Sequence, residues 1–151
     1  MAKTRSTGTF LIIPLGDSTF GYGRTLAQPN IAFYRYRTDA PDSDLDRIAA
    51  SPIAFTLAVL VSDANRWRAL GQRELEHELQ QPIVRFMQDI ADFRQCTIFD
   101  NTGMVHDVSP EECVGLERSV VWNSSGVTRR LLDMFAGRPN DSVERNKVRL
   151  S

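Results

Sequence analysis

"IPLGDSTFGYGR", residues 13–24, decides how the N-terminal part of the chain folds. Its glycine density and closing arginine suit either a loop that cradles phosphate or a tight hairpin. A dinucleotide-binding fingerprint needs a third glycine three residues after the second, where Leu26 stands, and a helix after it. A P-loop needs Gly-Lys-Ser/Thr, which is absent. The flanks are β-patterned instead. "TFLIIPL" (9–15) has the β-branched and aromatic content of a buried strand, and "GDST" (16–19) has turn composition. "FGYGRTLA" (20–27) alternates, with Phe20, Tyr22 and Arg24 on one face. Gly21 and Gly23 then mark a bulge or a close approach of backbone. After the turn Gln28-Pro29, "NIAFYRYR" (30–37) makes a third strand, and the whole reads as an antiparallel meander.

Working outward, "TDAPDSDLDRIAASP" (38–52) is a polar, acidic connection with one helical turn. "IAFTLAVLVS" (53–62) is a near-continuous apolar run, the pattern of a central strand buried on both faces. "RWRALGQREL" (66–75) alternates weakly, and "ELEHELQQP" (74–82) fits helix or loop. "IVRFMQD" (83–89), "RQCTIFDN" (94–101) and "GMVHDVS" (103–109) are strands, the last two joined across Asn101-Thr102-Gly103. "SPEEC" (109–113) opens like a helix, with Ser109 as cap, Pro110 at the first position and Glu112 reaching back. "LERSVVWN" (116–123) is strand-like. "SSGVTRRLLDMFAG" (124–137) is helical, with Val127, Leu131, Met134 and Phe135 in one stripe and Gly137 as its stop. The expected class is α+β: a mostly antiparallel, strongly twisted sheet or partial barrel with a C-terminal helix. Residues 1–7 read as a flexible N-terminus, 8–137 as a single domain, and 138–151, which lack a stripe, as a mobile tail.

The 151 residues are 42% apolar and 25% charged, with a formal net charge of −1. That average gives no reason to expect nucleic acid or an anionic membrane as partner. It conceals an asymmetry: residues 1–37 carry +4, residues 38–137 carry −7 and residues 138–151 carry +2. The longest apolar stretch, 53–61, is too short to span a bilayer. The first nine residues lack the apolar core of a signal peptide, and Cys96 and Cys113 form no disulfide framework, so a reducing cytoplasm is the expected setting.

No catalytic constellation assembles. His77 and His106 have no partner at metal-ligand spacing, so neither a metal nor a cofactor is expected. No Gly-x-Ser-x-Gly is present. Glu111 and Glu112 beside Cys113 would raise its thiol pKa, against a nucleophilic role. The interleaved "YRYR" (34–37) could serve a nucleic-acid-binding β-barrel as a stacking platform. The simpler reading puts tyrosines on one face of a strand and arginines on the other.

Taken together, Ile13-Pro14-Leu15, Tyr22-Gly23-Arg24 and Ala32-Phe33-Tyr34 resemble the opening of the immunity protein 26 family. Those proteins are the antidotes of bacterial polymorphic toxin and contact-dependent growth inhibition systems. "ECVGLERSVVWNSSGVTRRLLDMFAG" is similar to the family's C-terminal end, with Glu117, Trp122 and Arg130 in place. The resemblance covers roughly residues 8–137. It implies a non-enzymatic cytoplasmic protein that binds the C-terminal toxin domain of its own system, a domain that in many such systems is a nuclease. Tyr22, Gly23, Arg24, Glu117, Trp122 and Arg130 would then form the structural motif, with Glu117 and Arg130 expected as an ion pair, together with Arg24. A basic substrate cleft attracts an acidic inhibitor. The acidic segments of the −7 region, Asp39, Asp42, Asp44 and Asp46 with Glu74, Glu76 and Glu78, are therefore the expected toxin-facing residues; their alternative role is a solvated face.

Overall fold

A computed structural model describes residues 5–151. The hairpin expected at 13–24 is present. Strands β1 (Thr9–Pro14) and β2 (Phe20–Thr25) pair antiparallel, with Phe10 opposite Arg24 and Pro14 opposite Phe20. The meander continues through β3 (Asn30–Tyr34) and β4 (Ile53–Val59). Strand β5 (Arg68–Gln72) returns to the free side of β1, and β10 (Val121–Trp122) runs parallel to β4. The six-stranded order is β10-β4-β3-β2-β1-β5. A second sheet holds β6 (Val84–Gln88), β7 (Cys96–Asp100), β8 (Val105–Val108) and β9 (Glu117–Arg118) in the order β8-β7-β6-β9. Its one parallel pair is β6 with β9. Neither sheet closes on itself, and the fold is α+β as expected.

The chain divides into two units. The first takes residues 5–80 and Val121–Asn140; the second takes Gln81–Val120 and 141–151. Position 137, where the sequence places a domain end, falls inside the first unit.

Strand periodicity shapes the first unit. Phe10, Ile12, Tyr22, Arg24 and Tyr34 fall on one face of the large sheet, and Leu11, Ile13, Gly21 and Phe33 on the other. Helix α1 (Leu45–Ala49) covers the first face. Its Ile48 is fully buried against Phe10, Ile12, Tyr22 and Tyr34. Helix α3 (Ser124–Ala136) covers the second with Val127 and Leu131, each worth about 1.5–3 kcal/mol of burial. A Cβ at Gly21 would stand 3.3 Å from Leu131 Cδ1. The glycine expected to mark a close approach is thus what lets the helix seat. Asn123 caps α3 by accepting from the Gly126 amide at 2.7 Å, and Gly137, at φ +70°, ends it.

The second unit packs Phe86, Cys96 and Cys113 at its centre, with Ile98, Val108, Leu116 and Val148 around them. The "SPEEC" start forms the expected capping box between Ser109 and Glu112 and makes a single 3₁₀ turn, Pro110–Cys113. The segment read as a mobile tail, 138–151, includes helix α4 (Asp141–Asn146). Arg118 lies 4.8 Å over the Phe86 ring and donates to the carbonyls of Asn146 and Lys147, which fastens that segment to the sheet.

Three local expectations change. The apolar run 53–62 does not stay a strand. β4 ends at Val59, Leu60 is 46% exposed, and the chain turns into helix α2 (Val61–Ala64). Only the second half of β4 is buried. The third strand stops at Tyr34, which pairs with Ile53 of β4 after a register shift between Phe33 and Tyr34. The run 116–123 is not one strand but two, β9 and β10, in different sheets. Apolar content alone could not separate them.

Candidate functional site

The site begins with Arg24. Alternation places it on the core face of β2, beside Tyr22, where a charged side chain has no water. It is 0% exposed and stacks 4.0 Å over the Phe10 ring. Burying a charge requires that every donor be met. Nε donates to the Gly8 carbonyl at 2.8 Å, and Nη1 to Tyr34 Oη at 3.3 Å and to Glu76 Oε2 at 2.9 Å. Nη2 donates to the carbonyls of Arg73 at 3.1 Å and Glu74 at 3.0 Å. All five N–H groups are therefore used, and three of the acceptors lie in the segment 73–76 that follows β5. Burial pushes the Tyr34 hydroxyl pKa up, while Arg24 pulls the other way.

That clasp fixes one acidic segment beside the other. Leu45, at the start of α1, packs against Gly71 of β5, where a Cβ would stand 2.8 Å from Leu45 Cδ1. The next residue, Asp46, accepts through Oδ1 from Arg73 Nη1 at 2.6 Å. The acidic stretches around 39–46 and 74–78 are thus neighbours on the α1 face of one sheet. Sequence reasoning named both stretches but not Arg73, which joins them. The only advance signal was Arg24 on a core-facing strand position, which demands a carboxylate without saying which.

Within this face the seven carboxylates differ. Asp42 is built in. Its Oδ2 accepts from Tyr36 Oη at 2.6 Å and Arg47 Nη1 at 3.1 Å, and its Oδ1 from the Asp44 amide at 2.9 Å. Its own amide donates to Tyr22 Oη at 2.9 Å. The Tyr36 bond first, then the Asp44 amide and Arg47, hold the Asp42 carboxyl below the ordinary carboxylate range. Asp44 caps α1 through the Arg47 amide at 3.2 Å. Glu76 holds Arg24, yet its side chain remains 40% exposed. Asp39, Glu74 and Glu78 are exposed, and no described residue pairs with their carboxylates.

The other singled-out residues divide between the units. Trp122 is buried in β10, and Arg130 lies 4.1 Å over Phe55 and 5.2 Å over Trp122, all in the first unit. Glu117 is in the second, opposite Arg85 in the β6–β9 pairing. Burial lowers the Arg85 pKa, and Glu117 opposes that. The carboxylate that reaches Arg24 is Glu76, where Glu117 and Arg130 were expected as its companions. In the Tyr34–Arg37 segment both tyrosine rings are engaged: Tyr34 by Phe10 and Arg24, Tyr36 by Tyr22 and Asp42. Among the described residues no group of three or more His, Cys, Asp or Glu is placed to hold a metal ion, and no helix is long and apolar enough to cross a membrane.

Comparison with known families decides what this scaffold is. The family model for immunity protein 26 matches residues 6–97, more than half of the chain. The chain belongs to that family. The match takes in Tyr22, Gly23 and Arg24 and both acidic segments, so the Arg24 clasp and the face it organises lie wholly within the shared region of an immunity protein. Glu117, Trp122 and Arg130 fall beyond its end. No curated protein and no solved structure matches the chain.

Proposed function

We propose that this immunity protein binds and neutralises the toxin domain of its own polymorphic toxin or contact-dependent inhibition system, in the cytoplasm and without catalysis. Membership of the family carries the reading. The toxin-facing surface is the acidic face on which Asp39, Asp42, Asp44 and Asp46 meet Glu74, Glu76 and Glu78. The convergence of two segments distant in sequence, fixed by Arg24 and Arg73, supports this placement. A nuclease is the toxin class such a face suits, because a cleft built for phosphate is basic. Complementary potentials speed encounter and exclude wrong partners. A tight complex of ordinary size would bury about 1,600 Å², with a few desolvated anchors carrying most of the energy.

The test is co-production with its cognate toxin domain. The unaltered protein should restore growth. Reversing Asp42, Asp44 and Asp46 to lysine should weaken both protection and the salt dependence of binding. Unchanged affinity in the reversed protein would remove the acidic face from the interface.

A further inference from the structure

On the opposite face of the same six-stranded sheet lies a cleft of about 570 Å³ that the acidic face does not explain. Its floor is apolar, made by Trp67 and Leu132 with Pro14, and its rim carries Arg66, Arg129 and Arg138. Among the described residues that line it, none is a carboxylate. The three arginines come from the turn before β5, from the middle of α3 and from just after its end, so only the fold assembles them. Arg66 and Arg129 are exposed, and Arg138 keeps a side chain 59% exposed although its Nε bonds Asp133 at 3.1 Å. In a chain of net charge −1, this is a local basic concavity over an apolar floor.

We propose that this cleft is a second docking surface, which takes an acidic peptide segment carrying an aliphatic side chain between its carboxylates. Planar guanidinium forks match carboxylates in pairs, and the apolar floor rewards a buried side chain between them. The volume suits a few side chains, not a folded domain. Nucleic acid fits the cleft less well. The Trp67 ring is 5% exposed and meets Phe33 edge-on at 5.9 Å, so it presents no face for a base to stack on. The partner's chemistry is the opposite of what the acidic face attracts, so the two surfaces can be occupied independently.

The experiment titrates the full chain against a fluorescein-labelled dodecapeptide of Glu and Asp flanking a central Leu-Leu, followed by anisotropy. Control probes are the same peptide with Lys for each acid, the acidic peptide without leucines, and a twelve-nucleotide oligo-dT. The acidic Leu-Leu peptide should bind more tightly than any control. Its affinity should fall about tenfold or more in Arg66→Glu/Arg129→Glu. Thr128→Trp, which fills the cleft without altering charge, should weaken it comparably while circular dichroism stays unchanged. The proposal is overturned by any of three results: no binding of the acidic peptide, binding untouched by both variants, or oligo-dT binding at least as tight and lost with the arginines.

Discussion

Arg24 Nη1 stands 2.9 Å from Glu76 Oε2, and the two residues are separated by 52 positions in the chain. The arginine is wholly buried while the glutamate is 40% exposed, so the pair is asymmetric in what its loss costs. Arg24→Ala takes the donor from the carbonyls of Arg73 and Glu74 and one of two from that of Gly8, and should destabilise the protein by about 3–5 kcal/mol. Arg24→Lys should recover little of that, since one ammonium cannot serve five acceptors. Glu76→Gln should cost less, about 1–2 kcal/mol, because the amide oxygen can still accept from Nη1 and only the charge is lost. Urea unfolding of the three variants measures the contrast, and equal losses would place the clasp in the ion pair instead of the backbone.

Gly8 should tolerate no side chain. Its φ is +90°, and a Cβ there would collide with the Arg73 carbonyl, one of the Arg24 acceptors. The Gly8 amide also donates to Thr25 O at 2.8 Å, and its carbonyl accepts from the Arg73 amide at 3.1 Å, so the backbone cannot retreat. Gly8→Ala should cost at least about 2 kcal/mol in the same urea assay. Gly16→Ala makes a useful comparison. Its φ is also positive at +84°, but nothing lies within 4 Å of the added atom, so only the strain term should show.

Charge and architecture can be separated on the acidic face. Asp39→Lys, Glu74→Lys and Glu78→Lys alter exposed carboxylates that hold no described partner, so stability should stay within about 0.5 kcal/mol. Together they should slow association with the toxin domain by about tenfold at low salt, and the difference should shrink as salt rises. Asp42→Lys should also lose about 1–3 kcal/mol of stability, because Tyr36 and the Asp44 amide lose their acceptor. Stopped-flow association alongside urea melts distinguishes the two effects.

Cys113 gives a pH prediction. Burial, with Cys96 beside it, pushes its thiol up to about 11. The unfolded thiol titrates near about 8.5, so the stability drawn from the neutral buried form is complete below that value. It is lost as pH rises toward 11, because the unfolded state ionises first. The urea midpoint should therefore fall across that alkaline range, and fall less in Cys113→Ala. At pH 8 a disulfide reagent should modify the thiol only as fast as the chain opens.

How much of this was readable in advance follows from where the controlling contacts lie. The β1–β2 hairpin and α3 with its Gly137 stop were legible because each is set by residues within one turn or one strand pair, and Gly21 stood out without any sign that Leu131 is its neighbour. The Arg24–Glu76 and Asp46–Arg73 bonds join positions that no local pattern relates. The seven carboxylates and Arg24 could be named, but not Arg73, nor which carboxylates the two arginines hold. The run 116–123 deceived for a different reason. Val121 and Trp122 are as apolar as a continuing strand, yet the chain changes sheet at Ser119 and Val120, where backbone bonds run to Phe86 O and Arg118 O. The basic cleft was invisible, since Arg66 and Arg129 look scattered until α3 lies against the sheet.

The seating of Leu131 against Gly21 also bears on timing during synthesis. The first 97 residues supply five of the six strands of the large sheet and all seven carboxylates of the acidic face. They do not supply the helix that covers its other side. Until translation passes Leu131, that side of the sheet lacks α3, and only the contacts of Phe33 with Phe55 and Trp67 shield it. A chain that stops short of Leu131 therefore carries the seven carboxylates and the Arg24 clasp that gathers them, on a sheet whose other side still lacks its helix.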